Sequence, residues 1–151
     1  MASARSAGLR STTHSFCHAL ISPPPPTELL QTYFSSSPKI TEHGPTWSRS
    51  RLPFLAKTFT GKQECEEYFA LMTGALEMSL DQDAFPGKEG FIVDAEVAMA
   101  SVVGKGTFKS KKTGKGWDEQ FIYRFSEFDA NSKIGHWEIW ADPLSAWEAI
   151  D

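Results

Sequence analysis

Close to its C-terminal end the chain reads HWEIWADPLSAW, residues 136–147, which places a carboxylate, Glu138, between Trp137 and Trp140 and next but one to an imidazole, His136. A carboxylate among indole rings loses hydration, so its pKa rises and it can act as a general acid or base near neutral pH. His136 could orient it or share its proton. Upstream, TWSRSRL, residues 46–52, alternates as a strand does and sets Trp47, Arg49 and Arg51 on one face. Two guanidinium groups beside a tryptophan could hold a carbonyl, enolate or carboxylate oxygen. Tyr33 and Tyr123 are candidate hydroxyl donors toward the same oxygen. Phe121, Trp137 and Trp140 are candidate walls of a substrate pocket, and His43, Asp94 and Glu96 are weaker candidates for acid or base.

The same residues have a plainer reading. If the turn DANSK closes a hairpin with Phe128 opposite Ile134, antiparallel pairing sets Arg124 against Glu138 and Ser126 against His136 on one face. Phe125 then meets Trp137, and Tyr123 meets Ile139, on the other. Glu138 and Arg124 would then be a surface ion pair over a core of Phe121, Phe125, Trp137 and Ile139. The sequence leaves open which face meets the cavity.

The elements that must position these groups follow from patterning. The 151 residues suit one domain with its own core. Residues 1–25 stand apart: Arg5, Arg10 and many Ser, Ala and Thr, with no acidic residue before Glu28, read as a disordered or targeting-like extension of mitochondrial character. The domain proper is expected over 26–151, entered through the stiff run Pro23–Pro26. Thr27 is placed to cap a short helix carrying Leu30, Tyr33 and Phe34. Thr60 and Gln63 form a capping box for a second helix, with Cys65, Tyr68, Phe69, Met72 and Leu76 as its buried stripe. Residues 91–108 read as one long strand bent at Gly104 and Gly106, followed by a Lys/Gly hairpin and strands over about 117–128 and 134–141. Asp142 caps a last helical turn with Pro143 at its first position. Helices toward the N-terminus followed by a curved antiparallel sheet make an α+β domain.

Composition narrows the partners. A net charge of -4 gives no field for phosphate backbones, so nucleic acid is not expected. No apolar run approaches the roughly 18 residues that span a bilayer, so a soluble, cytoplasmic protein without a membrane partner is expected. Cys17 and Cys65 lie far apart, without the spacing of a disulfide framework or a zinc site. Neither metal nor cofactor is expected. Five Trp and eleven Phe suit a core, and equally a pocket for a flat ligand.

The order of elements, with RLPFLAKTFTGKQECEEYF, the glycine-bent strand and YRFSEFDANSKIGHWEIWADP, resembles the SnoaL-like branch of the NTF2-like superfamily. The C-terminal segment looks closest to small fungal tailoring proteins of natural-product pathways. The resemblance implies a cone-shaped sheet wrapped around helices, a ligand cavity between them, no cofactor, and a homodimer through the outer sheet surface. The residues and this fold together are read as cofactor-independent isomerase, cyclase or rearrangement chemistry on a bulky aromatic or polycyclic small-molecule substrate, with Glu138 as acid/base and Arg49 with a tyrosine stabilising negative charge. A non-catalytic binding protein and a dimeric module with a vestigial pocket are the alternatives. Three patterns of that superfamily do not carry over. The limonene epoxide hydrolase aspartate position is Ile139 here, the acidic donor of ketosteroid isomerase falls near Phe121, and only one histidine can be placed for the pair in scytalone dehydratase. Catalysis requires Glu138 or another carboxylate within hydrogen-bond reach of Arg49, Arg51 or a tyrosine, inside a hollow of at least about a few hundred Å³.

Overall fold

A computed structural model describes residues 3–151. The chain runs α1 (Ala4–Ala19), α2 (Pro26–Tyr33), β1 (Phe34–Glu42), a 3₁₀ turn over Thr46–Ser50, β2 (Lys57–Thr60), α3 (Lys62–Ala75), β3 (Leu76–Ser79), β4 (Ile92–Asp94), β5 (Met99–Ser110), β6 (Gly116–Ser126), β7 (Ile134–Trp140) and α4 (Pro143–Ile150). The strands form one seven-stranded sheet in the order β2-β1-β7-β6-β5-β3, with β4 also paired to β5. This is the expected α+β arrangement, a curved sheet with helices on its inner face. The sheet is mixed, however, where an antiparallel one was expected, because β1 and β7 run parallel. That parallel pair is the contact that builds the site. No helix among the described residues is long and apolar enough to cross a membrane.

The last hairpin forms in the register that alternation and the DANSK turn dictate, pairing Arg124 with Glu138, Phe125 with Trp137 and Ser126 with His136. Asp129 makes the turn by accepting the N–H groups of Asn131 and Lys133, both at 2.9 Å. Gly135 is obligatory beside it, since a Cβ there would sit 2.0 Å from the Glu127 carbonyl oxygen. Odd-numbered residues of β6 and β7 point inward, as Phe121, Tyr123, Phe125, Trp137 and Ile139 show by their burial. Helix α3 buries Cys65, Tyr68, Phe69 and Met72 on one stripe, at the i, i+3, i+4 and i+7 spacing of its sequence. Its start differs by one position from the expected capping box: Gly61 is the N-cap and Glu64, not Gln63, accepts the Thr60 N–H at 3.0 Å. Asp142 caps α4 as expected, accepting the Ser145 N–H at 3.0 Å with Pro143 in the first turn.

Four expectations are corrected. Residues 4–19 are a helix of the domain, not a disordered extension: Leu9, Thr13, Phe16 and Cys17 are fully buried. Phe16 packs edge-on against Trp137, Phe125, Phe34 and Tyr33. The basic residues that looked like a targeting signal are structural donors, Arg5 to the carbonyls of Asp129 and Phe128 and Arg10 to those of Lys88 and Phe91. The short helix α2 starts at Pro26 behind Pro25, so Thr27 is not its cap. Residues 46–52 are not a strand, because the Ser48 N–H and hydroxyl both return to the Pro45 carbonyl, closing a 3₁₀ turn. Residues 91–108 are broken into the hairpin β4/β5, because Asp94 Oδ1 accepts the N–H groups of Glu96 and Val97 and folds the chain there.

Candidate active site

Between the inner face of the sheet and helices α2, α3 and α4 lies a cavity of about 230 Å³. Phe121 and Tyr123 reach it from β6, Trp137 and Ile139 from β7, and Tyr68 and Phe69 from α3. Pro23, Pro24 and Pro26 form part of its edge, so the proline run lines the cavity beside α2.

One carboxyl group is central to this hollow, and it comes from β1. Alternation along PKITEH points Pro38, Ile40 and Glu42 inward and Lys39, Thr41 and His43 outward. Parallel pairing then sets Glu42 beside Ile139 and Ile40 beside Trp137. Glu42 is half-buried and lines the cavity, so the surface that it retains is cavity surface. The Tyr68 hydroxyl donates to Glu42 Oε1 at 2.6 Å. Burial pushes the Glu42 carboxyl up to about 7; the Tyr68 hydrogen bond opposes this and the charge of Glu119 adds to it. A carboxyl that titrates near neutrality, with a proton donor on one oxygen and the other unpaired among the described residues, has the properties of a general acid/base.

Glu119, on β6, is the second carboxylate of the cavity. It accepts the Trp117 indole N–H at 3.2 Å and the Asp142 backbone N–H at 2.7 Å, and burial holds its pKa above the ordinary carboxylate value. Tyr123 is 4% exposed and its hydroxyl has no hydrogen-bond partner among the described residues. Burial raises the pKa of both Tyr68 and Tyr123 well above the usual phenol value, so both stay protonated donors. The indole N–H of Trp137 is buried without a partner among the described residues. Among the described residues no group of three His, Cys, Asp or Glu is placed to hold a metal ion.

The residues singled out in the sequence divide sharply. Tyr123, Phe121 and Trp137 line the cavity. Glu138, His136 and Trp140 do not, because even-numbered positions of β7 face outward. Glu138 is held there by Arg124 at 2.7 Å and by His43 Nε2 at 3.0 Å. Burial alone would raise its pKa, but the hydrogen bonds from Arg124 and His43 prevail and hold it below the ordinary value. It is the ion pair of the plainer reading, extended by a histidine. His136 bonds Thr41 Oγ1 at 2.8 Å and lies 3.3 Å from Glu127. Trp140 is stacked on His43 at 4.2 Å. Arg49 and Trp47 are exposed on the 3₁₀ turn; Arg51 lies over Trp147 at 4.0 Å and donates to its carbonyl. Tyr33 packs edge-on against Phe16, away from the cavity. No arginine among the described residues lines the hollow, since the alternation that aimed Arg49 and Arg51 belonged to a strand that does not form.

Glu42, Tyr68 and Glu119 were missed as site residues. Tyr68 was read as core and is also core. Glu42 lay between the first helix and residues 46–52, in a stretch to which the sequence reading assigned no element. The alternation of Ile40 and Glu42 against Thr41 and His43 is the signal that would have found it.

No protein-family model matches the sequence, and no curated protein aligns with it significantly. Solved structures do match in three dimensions. An NTF2-like protein from Burkholderia xenovorans LB400 superposes with a TM-score of 0.72 over 97% of this chain and 98% of its own, at 15% identity. A protein designated a SnoaL-like polyketide cyclase, from Jannaschia sp. CCS1, gives 0.69 over 98% and 94% at 12% identity. TerC, co-crystallised with polyporic acid, gives 0.66 over 96% and 98% at 17% identity.

Proposed function

We propose that this chain, which has the fold of the NTF2-like and SnoaL-like proteins, is a cofactor-independent proton-transfer catalyst of the isomerase or cyclase type acting on a compact, largely apolar small molecule. The observation that carries this reading is the Glu42–Tyr68 pair, a carboxyl of pKa about 7 hydrogen-bonded at 2.6 Å inside an aromatic hollow. Glu42 removes a proton from one carbon of the bound molecule and returns it to another. Tyr68 fixes the carboxyl by its hydrogen bond, and Tyr123 offers its free hydroxyl to the substrate's polar atom. The polyketide cyclase and the small-molecule complex among the similar folds support the reaction class. A volume of about 230 Å³ lies below the roughly 300–1,000 Å³ of ordinary drug-sized sites, which favours a mono- or bicyclic ligand over a large polycycle.

The test is solvent deuterium exchange. A panel of compact aryl ketones and cyclic imines is incubated with the protein in D₂O, and deuterium entering α to the C=O or C=N group is read by mass spectrometry. Wild type is expected to accelerate exchange of at least one member, and Glu42→Gln to remove about 10²- to 10⁴-fold of that rate. A ligand that binds in the cavity without accelerated exchange would make this a binding protein instead. We also propose a homodimer through the outer sheet face, where Val103, Ile122 and Trp140 stand exposed in one cross-strand row. Light scattering of Ile122→Glu against wild type decides it, with loss of the dimer expected.

A further inference from the structure

The charge inventory of the cavity is one-sided. Three acidic residues line it, Glu42, Glu119 and Asp142, and among the described residues no Lys, Arg or His does. Asp142 is committed to capping α4 through both carboxylate oxygens. Glu119 is bonded only to neutral donors, the indole of Trp117 and a backbone N–H. Glu42 has only a phenol. Neither glutamate belongs to an ion pair among the described residues. Around them stand eight aromatic side chains, Trp137, Tyr123, Phe121, Phe69 and Phe54 among them. Aromatic faces attract cations, more strongly once the site is dry. Independently of the acids, the Tyr123 hydroxyl is unpartnered and its residue 96% buried, so its oxygen is free to accept a hydrogen bond from a ligand.

We infer that the ligand of this cavity carries a basic nitrogen that is protonated in place, its N–H groups meeting Glu42 and the Tyr123 oxygen and its charge facing the aromatic walls. This rests on the proton-transfer reading of the site and names its substrate class. It also resolves a difficulty in that reading. Forming an enolate from a ketone would move the negative charge of the Glu42 carboxylate onto the ketone oxygen, inside a cavity with no cationic side chain among the described residues to stabilise it there. A protonated imine needs none. Its α-carbon loses a proton to the Glu42 carboxylate, the C–H electron pair becomes the C=C bond, and the C=N pair moves onto nitrogen. The products are a neutral enamine and a neutral Glu42 carboxylic acid. Return of that proton to another carbon completes an isomerisation without any redox partner.

The test uses three probes of one shape: phenethylammonium, 2-phenylethanol and phenylacetate, titrated calorimetrically into the full chain at pH 8 and pH 6. At pH 8 the ammonium is expected to bind at least about tenfold tighter than the alcohol, a difference of about 1.4 kcal/mol, and phenylacetate not to bind. The preference shrinks at pH 6, where Glu42 holds its own proton. The titratable groups that line the cavity with Glu42 are Tyr68, Tyr123, Glu119 and Asp142; the phenols stay neutral throughout, and Glu119 works in the same direction as Glu42. Glu42→Gln and Glu119→Gln, each checked for wild-type circular dichroism and melting, should each reduce the preference. Equal affinities, a tighter alcohol or acid, or no binding of the ammonium overturns the inference. The two readings fail separately. An ammonium preference in a protein that exchanges no α-hydrogen spares the ligand class and removes the catalyst. Rapid ketone exchange without that preference does the opposite.

Discussion

Replacing Glu42 by Gln probes the site without any ligand. The folded carboxyl is pushed from 4.5 to about 7, chiefly by burial. Between those values the native state holds a proton that the unfolded chain has lost, so stability falls as pH rises through this window. That rise in pKa corresponds to about 3 kcal/mol, the free energy of keeping an ionised Glu42 in the cavity at pH 8 or above. Glutamine presents the same carbonyl oxygen to the Tyr68 hydroxyl, carries no charge, and nearly preserves the volume. The stability of Glu42→Gln minus that of wild type should therefore be small near pH 4.5 and grow by about 3 kcal/mol by pH 8–9. Glu119 also titrates upward but is present in both proteins, so it largely cancels. Urea unfolding at half-unit pH steps measures the difference directly. A difference that stays flat with pH, or one that shrinks as pH rises, refutes the argument for Glu42.

Other substitutions test the remaining geometry. Glu138→Gln, which alters only the outer face, should leave deuterium exchange within about twofold of wild type, whereas a cavity role for Glu138 would make it collapse. Phe16→Ala removes a ring buried against Trp137, Phe125, Phe34 and Tyr33 and should cost about 3–5 kcal/mol in chemical denaturation. A negligible loss would mean that α1 is not part of the core. Gly135→Ala drives a methyl group into the Glu127 carbonyl and should cost at least about 1–3 kcal/mol in the same assay.

Local, strongly patterned segments were legible in the sequence. The hairpin β6/β7 had an Asp turn and uninterrupted alternation, so the predicted pairs from Tyr123–Ile139 to Ser126–His136 formed, while Phe128 lies beyond the end of β6 and does not pair with Ile134; α3 had a full apolar stripe. What failed was either weakly patterned or non-local. In α1 the apolar positions Leu9, Phe16, Cys17 and Leu20 are diluted by Ser, Thr and His, and the burial that stabilises the helix comes from strands more than a hundred residues away. In β1, Pro38 masks the strand, and its position is tolerated because the register with β7 is irregular between Phe34 and Lys39. Alternation in 46–52 was real, but Pro45 and Ser48 favour a tight turn that satisfies the same pattern. The site followed the fold. Tyr123, Phe121 and Trp137 were placed on the cavity wall because their strands were recognised, and the carboxyl group was assigned to β7 because β1 had not been recognised. Its parallel neighbour on β7 is Ile139, so the carboxyl that lines the cavity lies one strand from the position where the sequence pointed.

The claim on which the account depends is that Glu42 is a desolvated carboxyl held by Tyr68 in a hollow. Its ¹³Cδ resonance, followed by NMR through a pH titration and assigned by its disappearance in Glu42→Gln, reads this directly. A midpoint near 7 that moves when Tyr68 is changed to Phe is the predicted result. A midpoint at 4.5 or below, unmoved by that change, would contradict it.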